Sequence, residues 1–353
     1  MKINSKILIC YNSPVSIFPI YNGKPSQKGK QQNDLSESGI IKEISLIKNS
    51  LKERFSNVET FAVDRNVERT IKKISKISPH IIFNFIESID GVASYEYCMA
   101  GVYQLLGINF TGNTPPCLGN CLNKTKTKLI LKSFNINTPD SLTLDKKDII
   151  KEGNFNLKYP LILKPAREDA SIGISEFSVV NNFIELKKQL AFLRRTYNQE
   201  VIVEEYIDGR ELNVAVLGNM ILPISEIQFN GLPVHFPKIV TYEGKWIADS
   251  IYYNNTKPKC PTVIDASTKR KVEKIALLTF QAMDCRDYAR IDIRLTKNKV
   301  PFVIEVNPNP DISMDSGFVR AANAGGISYS EMLYKIATFA LERKNHDSQC
   351  KAS

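Results

Sequence analysis

Apolar residues recur along this chain with two periods, and the alternation between them predicts most of its elements. An apolar run at 7–11 reads as a first β-strand. Ile40, Ile41, Ile44, Ile47 and Leu51 then fall at helical spacing, which predicts a helix over 38–55. A second strand is expected at 58–63. A helix at 67–78 must stop before Pro79, because the residue preceding a proline disfavours the α conformation. The continuous apolar run at 80–85 suits a parallel strand covered on both faces. A helix at 94–106, with Gly107 as its C-cap, leads to a short strand at 108–110. This β-α-β-α-β-α-β order predicts a small doubly wound α/β domain.

Beyond Pro115 and Pro116 the pattern changes. Helical spacing spans 118–134, and a strand at 160–165 is followed by a polar loop that contains Gly173. Another strand is expected near 175–180, a helix at 183–196 and a strand at 201–206. From about 207 onward antiparallel strands dominate, with helices at 266–283 and 330–343. The polar stretches at 12–36 and 344–353 read as a mobile loop and a frayed tail. The expected division is 1–112, 113–204, 205–345 and a tail at 346–353. The fold class is α/β, becoming α+β in the C-terminal half.

Composition narrows the function. The 353 residues carry a net charge of +10, with 43% hydrophobic and 24% charged residues, as in an ordinary soluble protein. The lysines are spread along the chain, and neither zinc-finger spacing nor a basic-aromatic ribonucleoprotein motif occurs. A nucleic-acid partner is therefore not expected; an anionic small substrate accounts for local basic sites. The seven cysteines are odd in number and irregularly spaced, and Cys117 and Cys121 lack a second pair to complete a zinc site. They read as free thiols in a reducing cytoplasm. No apolar run reaches membrane-spanning length, and the N-terminal one is too short for a signal peptide.

The chemistry concentrates near the C-terminus. Arg290 and Asp292 alternate with apolar residues and so share one strand face; Glu305 and Asn307 do the same on the next strand. Paired antiparallel, these strands gather three oxygen ligands beside a guanidinium. That set suits Mg²⁺ on a polyphosphate, because Mg²⁺ takes few protein carboxylates and completes its shell with phosphate and water. A solvated hairpin would not interleave these charges with Ile, Val and Phe. Upstream, Lys164 ends an apolar strand, which is costly unless an anion meets it. The small-residue turn at 167–173 is able to offer backbone N–H groups to phosphates, although an ordinary hairpin turn has the same composition. The strand-turn-strand at 204–213 suits a nucleotide base at the backbone of Glu205 and Ile207, with Glu211 placed for ribose hydroxyls.

Taken in order, these segments resemble the ATP-grasp superfamily, and within it the D-alanine–D-alanine ligases. The carrying motifs are Phe110-Thr-Gly112-Asn113 with Asn123-Lys124 and Lys128, then Leu163-Lys164-Pro165 with Ser171-Ile-Gly173. Glu204 to Glu211, Arg290-Ile-Asp292 with Glu305-Val-Asn307, and Ser316 with 325–329 complete the series, over about 80–340. The resemblance implies an ATP-grasp fold behind a small α/β domain. It implies ligation of a carboxylate to an amine through an acylphosphate, with ATP and two Mg²⁺ ions, for which Mn²⁺ is an acceptable substitute. By position, Lys124, Lys164 and Lys245 would meet phosphates beside Ser171. Glu204, Tyr206 and Ile207 would line the adenine site, and Glu211 would hold the ribose. Asp292, Glu305 and Asn307 would hold metal, Arg290 would stabilise the oxyanion, and Ser316 would meet a substrate carboxylate. Small-molecule substrates, no nucleic-acid or membrane partner, a cytoplasmic location and a homodimer are implied too.

The chain departs from that pattern at the first-substrate site. The family's Gly-rich segment with its amine-binding Glu is not visible after Tyr11. Ala170 replaces a loop Ser, Trp246 replaces the Tyr that pairs with it, and Asp311 follows a Pro-Asn-Pro run where the family has Gly. A site built to hydrogen-bond a substrate amine loses specificity when its partners are missing. The expectation is a carboxylate–amine ligase with an altered first-substrate site. A D-alanine–D-alanine ligase of cell-wall synthesis and an ATP-binding accessory protein for a peptide or protein partner are the alternatives.

Overall fold

The computed structural model describes residues 2–13, 40–153 and 156–343, together with the backbone of short strand pairs at 17–18, 20–21, 24–25 and 32–33. The predicted loop at 12–36 and the tail at 344–353 lie, for the most part, outside the described residues.

Three sheets organise the chain. The first is parallel, in the order Phe55–Val63, Ile3–Asn12, Ile81–Phe85. Its strand Ile81–Phe85 is buried at every position, as the apolar run required. The strand expected at 108–110 contributes only a single parallel bridge, Phe110 to Ile82. The helix Ile40–Arg54 buries Ile40, Ile44, Ile47 and Leu51 against this sheet. The last helix, Tyr329–Glu342, packs Met332, Leu333, Ile336 and Ala337 into the same core, so the two ends of the chain share it.

The second sheet is antiparallel, in the order Val179–Val180, Leu161–Pro165, Val201–Glu205, Ser141–Leu144. The helix Phe183–Tyr197 covers one face with Leu186, Leu190 and Leu193. The third sheet runs Lys257–Lys259, Ser225–Gln228, Arg210–Leu217, Tyr288–Leu295, Pro301–Asn307, and all its pairings are antiparallel. The helix Ala266–Ala282 buries Val272, Ala276 and Phe280 against it.

Two local expectations are corrected. The helix expected over 118–134 is two helices, Pro115–Leu122 and Lys124–Ser133. Asn123 is extended, and its side chain accepts from Lys126 N at 3.1 Å, so it caps the second helix instead of continuing the first. The region near 175–180 opens on a 3₁₀ turn, Glu176–Ser178, capped by Ser175, before the short strand.

Candidate active site

A cleft of about 280 Å³ lies between the second and third sheets. Lys124, Lys164, Ser171, Glu204, Tyr206, Ile207, Glu211, Lys245, Arg290, Asp292 and Glu305 all line it. One wall is the strand pair Tyr288–Leu295 and Pro301–Asn307, in which Asp292 sits opposite Glu305 and Arg290 opposite Asn307. The register slips between Asp292 and Ile293, leaving Ile304 as an extra residue. Such a bulge re-aims side chains, and both Ile304 and Glu305 face the cleft.

Asp292 is held by protein donors. Arg290 clamps it with Nε to Oδ1 at 2.8 Å and Nη2 to Oδ2 at 2.9 Å. Asn213 Nδ2 donates to Oδ1 at 2.7 Å and Asn307 Nδ2 to Oδ2 at 3.1 Å. Glu305 pairs with Lys124 Nζ at 3.3 Å. Burial alone would raise the Glu305 carboxyl, but Lys124, Lys164, Lys245 and Arg290 outweigh it and hold it near 2. The carboxylate is therefore fully ionised at neutral pH. Hard, ionised oxygen donors surrounded by cationic side chains form a donor set that fits Mg²⁺ carried on phosphate.

The cations come from separate elements. The break at Asn123 starts a helix at Lys124, whose N–H donates to Ala166 O at 3.1 Å. Lys124 Nζ also meets Glu168 O, and Asp169 lies 3.6 Å away. Lys164 ends the strand Leu161–Pro165 and donates to Glu204 Oε2 at 3.0 Å. Lys245 lies on the short helix Tyr242–Trp246 with its side chain open to the cleft. Protein walls nevertheless surround it, and their desolvation, reinforced by Arg290, lowers its pKa.

Glu204 is 1% exposed and serves as an ionic hub, with Lys164 on one oxygen and Lys128 Nζ at 3.4 Å from the other. Burial would raise its pKa, but the two lysines win and lower it. Glu211 is engaged by Arg294 Nη2 at 2.8 Å. Burial raises its pKa despite that arginine. Arg294 also lies over the Tyr206 ring, 5.5 Å from its centroid. Ser316 is turned to local use: its Oγ accepts from Val319 N at 3.3 Å and caps the helix Gly317–Ala324.

The turn after Lys164 is strained in a specific way. Ala170 and Ser171 have φ of 53° and 62°, a left-handed pair uncommon for non-glycine residues. Gly173 follows at +80°, and a Cβ there would lie 2.6 Å from Pro165 Cγ. Trp246 Nε1 donates to Ala170 O at 3.2 Å, so the two departures from the family pattern contact each other. Outside the cleft lining, beyond the strand Pro301–Asn307, burial, then Asp311 and Asp315, raise the Glu43 carboxyl to about 7. Asp311 also accepts from Ser313 N at 2.8 Å and Ser313 Oγ at 2.9 Å.

Comparison with known proteins places this geometry. The family model described as "D-ala D-ala ligase C-terminus" matches residues 126–338. A D-alanine–D-alanine ligase of Nitrosospira multiformis is 31% identical over 68% of this chain and 74% of its own. The chain belongs to the D-alanine–D-alanine ligase family. An uncharacterized protein named y4sG, from Sinorhizobium fredii, is 33% identical over 74% of this chain and 75% of its own. The solved D-alanine–D-alanine ligase of Bacillus anthracis superposes with a TM-score of 0.72 at 22% identity, covering 96% of this chain and 97% of that one. The VanG D-Ala:D-Ser ligase of Enterococcus faecalis gives 0.67 at 20% identity, over 96% and 100%. These neighbours share the ATP-grasp fold. This D-alanine–D-alanine ligase family member is an ATP-dependent ligase, and ligases of its family use ATP and Mg²⁺ on small-molecule substrates. Among its described residues no helix is long and apolar enough to cross a membrane.

Four residues were not singled out as site residues from sequence. Arg294 shares the Arg290–Asp292 alternation, so its strand face was a usable signal. Lys128 stood inside the quoted Asn123–Lys124 motif, one helical turn beyond Lys124. Asn213 reaches Asp292 only through strand pairing, and Glu43 meets Asp311 across the chain; neither carries a local signal.

Proposed function

We propose that this chain joins a carboxylate to an amine at the expense of ATP, through an acylphosphate, with a first-substrate site unlike that of a D-alanine–D-alanine ligase. The observation that carries this reading is the Trp246–Ala170 contact beside an otherwise complete set of cations and hard oxygen ligands. The residues divide the work. Lys124, Lys164 and Lys245, with the turn at Ser171, neutralise phosphate charge, because phosphoryl transfer depends mainly on positioning and charge neutralisation. Tyr206 and Ile207 flank the base, with Glu204 holding the lysines beneath it, and Glu211 is placed for the ribose. Asp292, Glu305 and Asn307 would hold two Mg²⁺ ions, or Mn²⁺ in their place, which would supply Lewis acidity at the transferred phosphate. Arg290, held against Asp292 in the cleft, would stabilise the oxyanion as the amine attacks and phosphate leaves. Ser316 meets the substrate carboxylate if its cap bond yields.

The acidic group Glu43, Asp311 and Asp315 favours a substrate that carries an ammonium. We further propose divisions at 1–112, 113–204 and 205–345, a homodimer, and a cytoplasmic location. The test is ADP release with Mg²⁺-ATP across single amino acids, pairs and small carboxylates, with amide products identified by mass spectrometry. Turnover that needs a pair other than two D-alanines supports the reading. Efficient conversion of D-alanine alone overturns the altered site and restores the substrate of the Nitrosospira relative. ATP binding with no turnover across the panel favours the accessory-protein alternative.

A further inference from the structure

Cys117 and Cys121 lie one turn apart on the helix Pro115–Leu122. The turn between the helix Ala266–Ala282 and the strand Tyr288–Leu295 delivers Cys285 to the same point, its N–H anchored on Phe280 O at 2.9 Å. Cys117 Sγ and Cys285 Sγ are 3.7 Å apart, and all three sulfurs lie within 4.8 Å of one another. Sulfurs held by metal–thiolate bonds of about 2.3 Å in a trigonal plane are separated by about 4.0 Å. The cluster already approaches that spacing without rearrangement of its elements.

We propose that Cys117, Cys121 and Cys285 form a trigonal thiolate site for one soft monovalent cation, Cu(I). Three buried or half-buried sulfurs provide soft ligands, which select Cu(I), zinc or iron–sulfur clusters over hard cations. Structural zinc takes four protein ligands, whereas among the described residues the cluster has three. With Cys117 at 1% and Cys121 at 5% exposure, the site is too closed for a ready water ligand, while half-buried Cys285 leaves an approach.

Coordination displaces the thiol protons to solvent and changes no oxidation state. Three thiolates around one Cu(I) leave a charge of −2, and Arg286 stands beside them to offset part of it. Its Nη2 is buried without a hydrogen-bond partner, and its guanidinium lies 4.6 Å from the Phe110 ring centroid. Asp284 acts in the opposite sense, raising the Cys117 thiol. Hydrogen bonds from Cys121 and then Cys285 outweigh both burial and Asp284 and lower that thiol.

The site also touches the catalytic wall. Cys117 Sγ donates to Asn113 Oδ1 at 3.4 Å, and Asn113 Nδ2 donates to Tyr288 O at 3.0 Å and to Pro308 O. Pro308 follows Asn307 directly. A shift of Cys117 on coordination is therefore felt at the junction between the helix Pro115–Leu122 and the strands Tyr288–Leu295 and Pro301–Asn307.

The experiment titrates the reduced full-length protein anaerobically with Cu(I) against a chromogenic Cu(I) chelator, then examines the complex by X-ray absorption. The expected result is one retained equivalent with a sulfur-only first shell of three atoms. Cys285→Ser and, independently, Cys121→Ala lose that equivalent while keeping the cooperative melt of the metal-free protein. Cys98→Ser, at an exposed position, retains it. Failure of the wild type to hold Cu(I), or full retention by either cluster variant that still folds, overturns the proposal. Preferential uptake of Zn²⁺ with an oxygen in the first shell overturns the Cu(I) assignment.

Discussion

Glu204→Gln is the most direct test of the charge arrangement beneath the cleft. The substitution keeps the size of the side chain and removes its charge. Glu204, Lys128 and Lys164 have side chains only 2%, 5% and 14% exposed. Removing one member of a buried ionic group costs about 3–5 kcal/mol, because the partners are left charged and desolvated. At about 2–4 °C per kcal/mol for a unit of 150–250 residues, the midpoint should fall by roughly 6–20 °C. Lys128 then has no compensating charge and faces Lys164 across the site. Burial already lowers its pKa to about 8 against the attraction of Glu204, and without that carboxylate it falls further.

The sign follows from proton binding. Above its lowered folded pKa, Lys128 is neutral in the folded protein and still protonated in the unfolded chain, so stability rises with pH until the unfolded group titrates. The penalty for burying the charged lysine is fully present below about 8 in the wild type. In Glu204→Gln this rise begins at lower pH. Differential scanning calorimetry from pH 6 to 10 measures both effects. Lys128→Met, which leaves Glu204 paired with Lys164, should cost less than Glu204→Gln, and the double variant should recover part of the loss. Mg²⁺-ATP should narrow the deficit as phosphate replaces the missing charge beside Lys164. A loss below about 1 kcal/mol, or a double variant no better than Glu204→Gln, refutes the hub, since surface pairs rarely exceed that value.

Other outcomes are equally specific. Asp292→Asn should lower Mg²⁺-ATP-dependent ADP release by about 10²–10³-fold, the scale of one lost transition-state group, and activity within tenfold of the wild type would reject its metal role. Trp246→Phe keeps an aromatic ring, though a smaller one, and removes the donor to Ala170 O; a net loss of about 1 kcal/mol should raise the KM for ATP roughly fivefold, and an unchanged KM with a lowered kcat would exclude a closing contact. Because Glu43 titrates near 7 when folded and near 4.5 in its ordinary state, it should add stability as pH falls from 7 toward 4.5. Binding of a cationic substrate should weaken over the same fall, and Glu43→Gln should flatten both profiles; a pH-independent KM argues against an ammonium at this site.

What could be read from the chain was whatever neighbours in sequence decide. Arg290 and Asp292 alternate with buried Ile291 and Ile293, so one strand carries its own record of which face meets the cleft. The parallel sheet was legible for the same reason, since Ile81–Phe85 is apolar at every position but Asn84 and has no face to expose. Asn123 was missed because both flanking segments keep helical spacing, and only the side-chain cap on Lys126 N shows that the helix restarts. The strand Ser141–Leu144 passed unnoticed: its burial is partial, and its partner Val201–Glu205 lies far along the chain. Charge balance is the least local property of all. Lys124 and Lys164 looked alike as phosphate ligands, yet one rests on Glu305 and the other on Glu204. Cations gathered this closely would repel one another, so the carboxylates of the cleft serve as their counterions. Asp292 accepts Arg290, Glu305 accepts Lys124, and Glu211 accepts Arg294. An anion entering the cleft therefore competes with these carboxylates for the same cations, and its binding is an exchange of ion pairs.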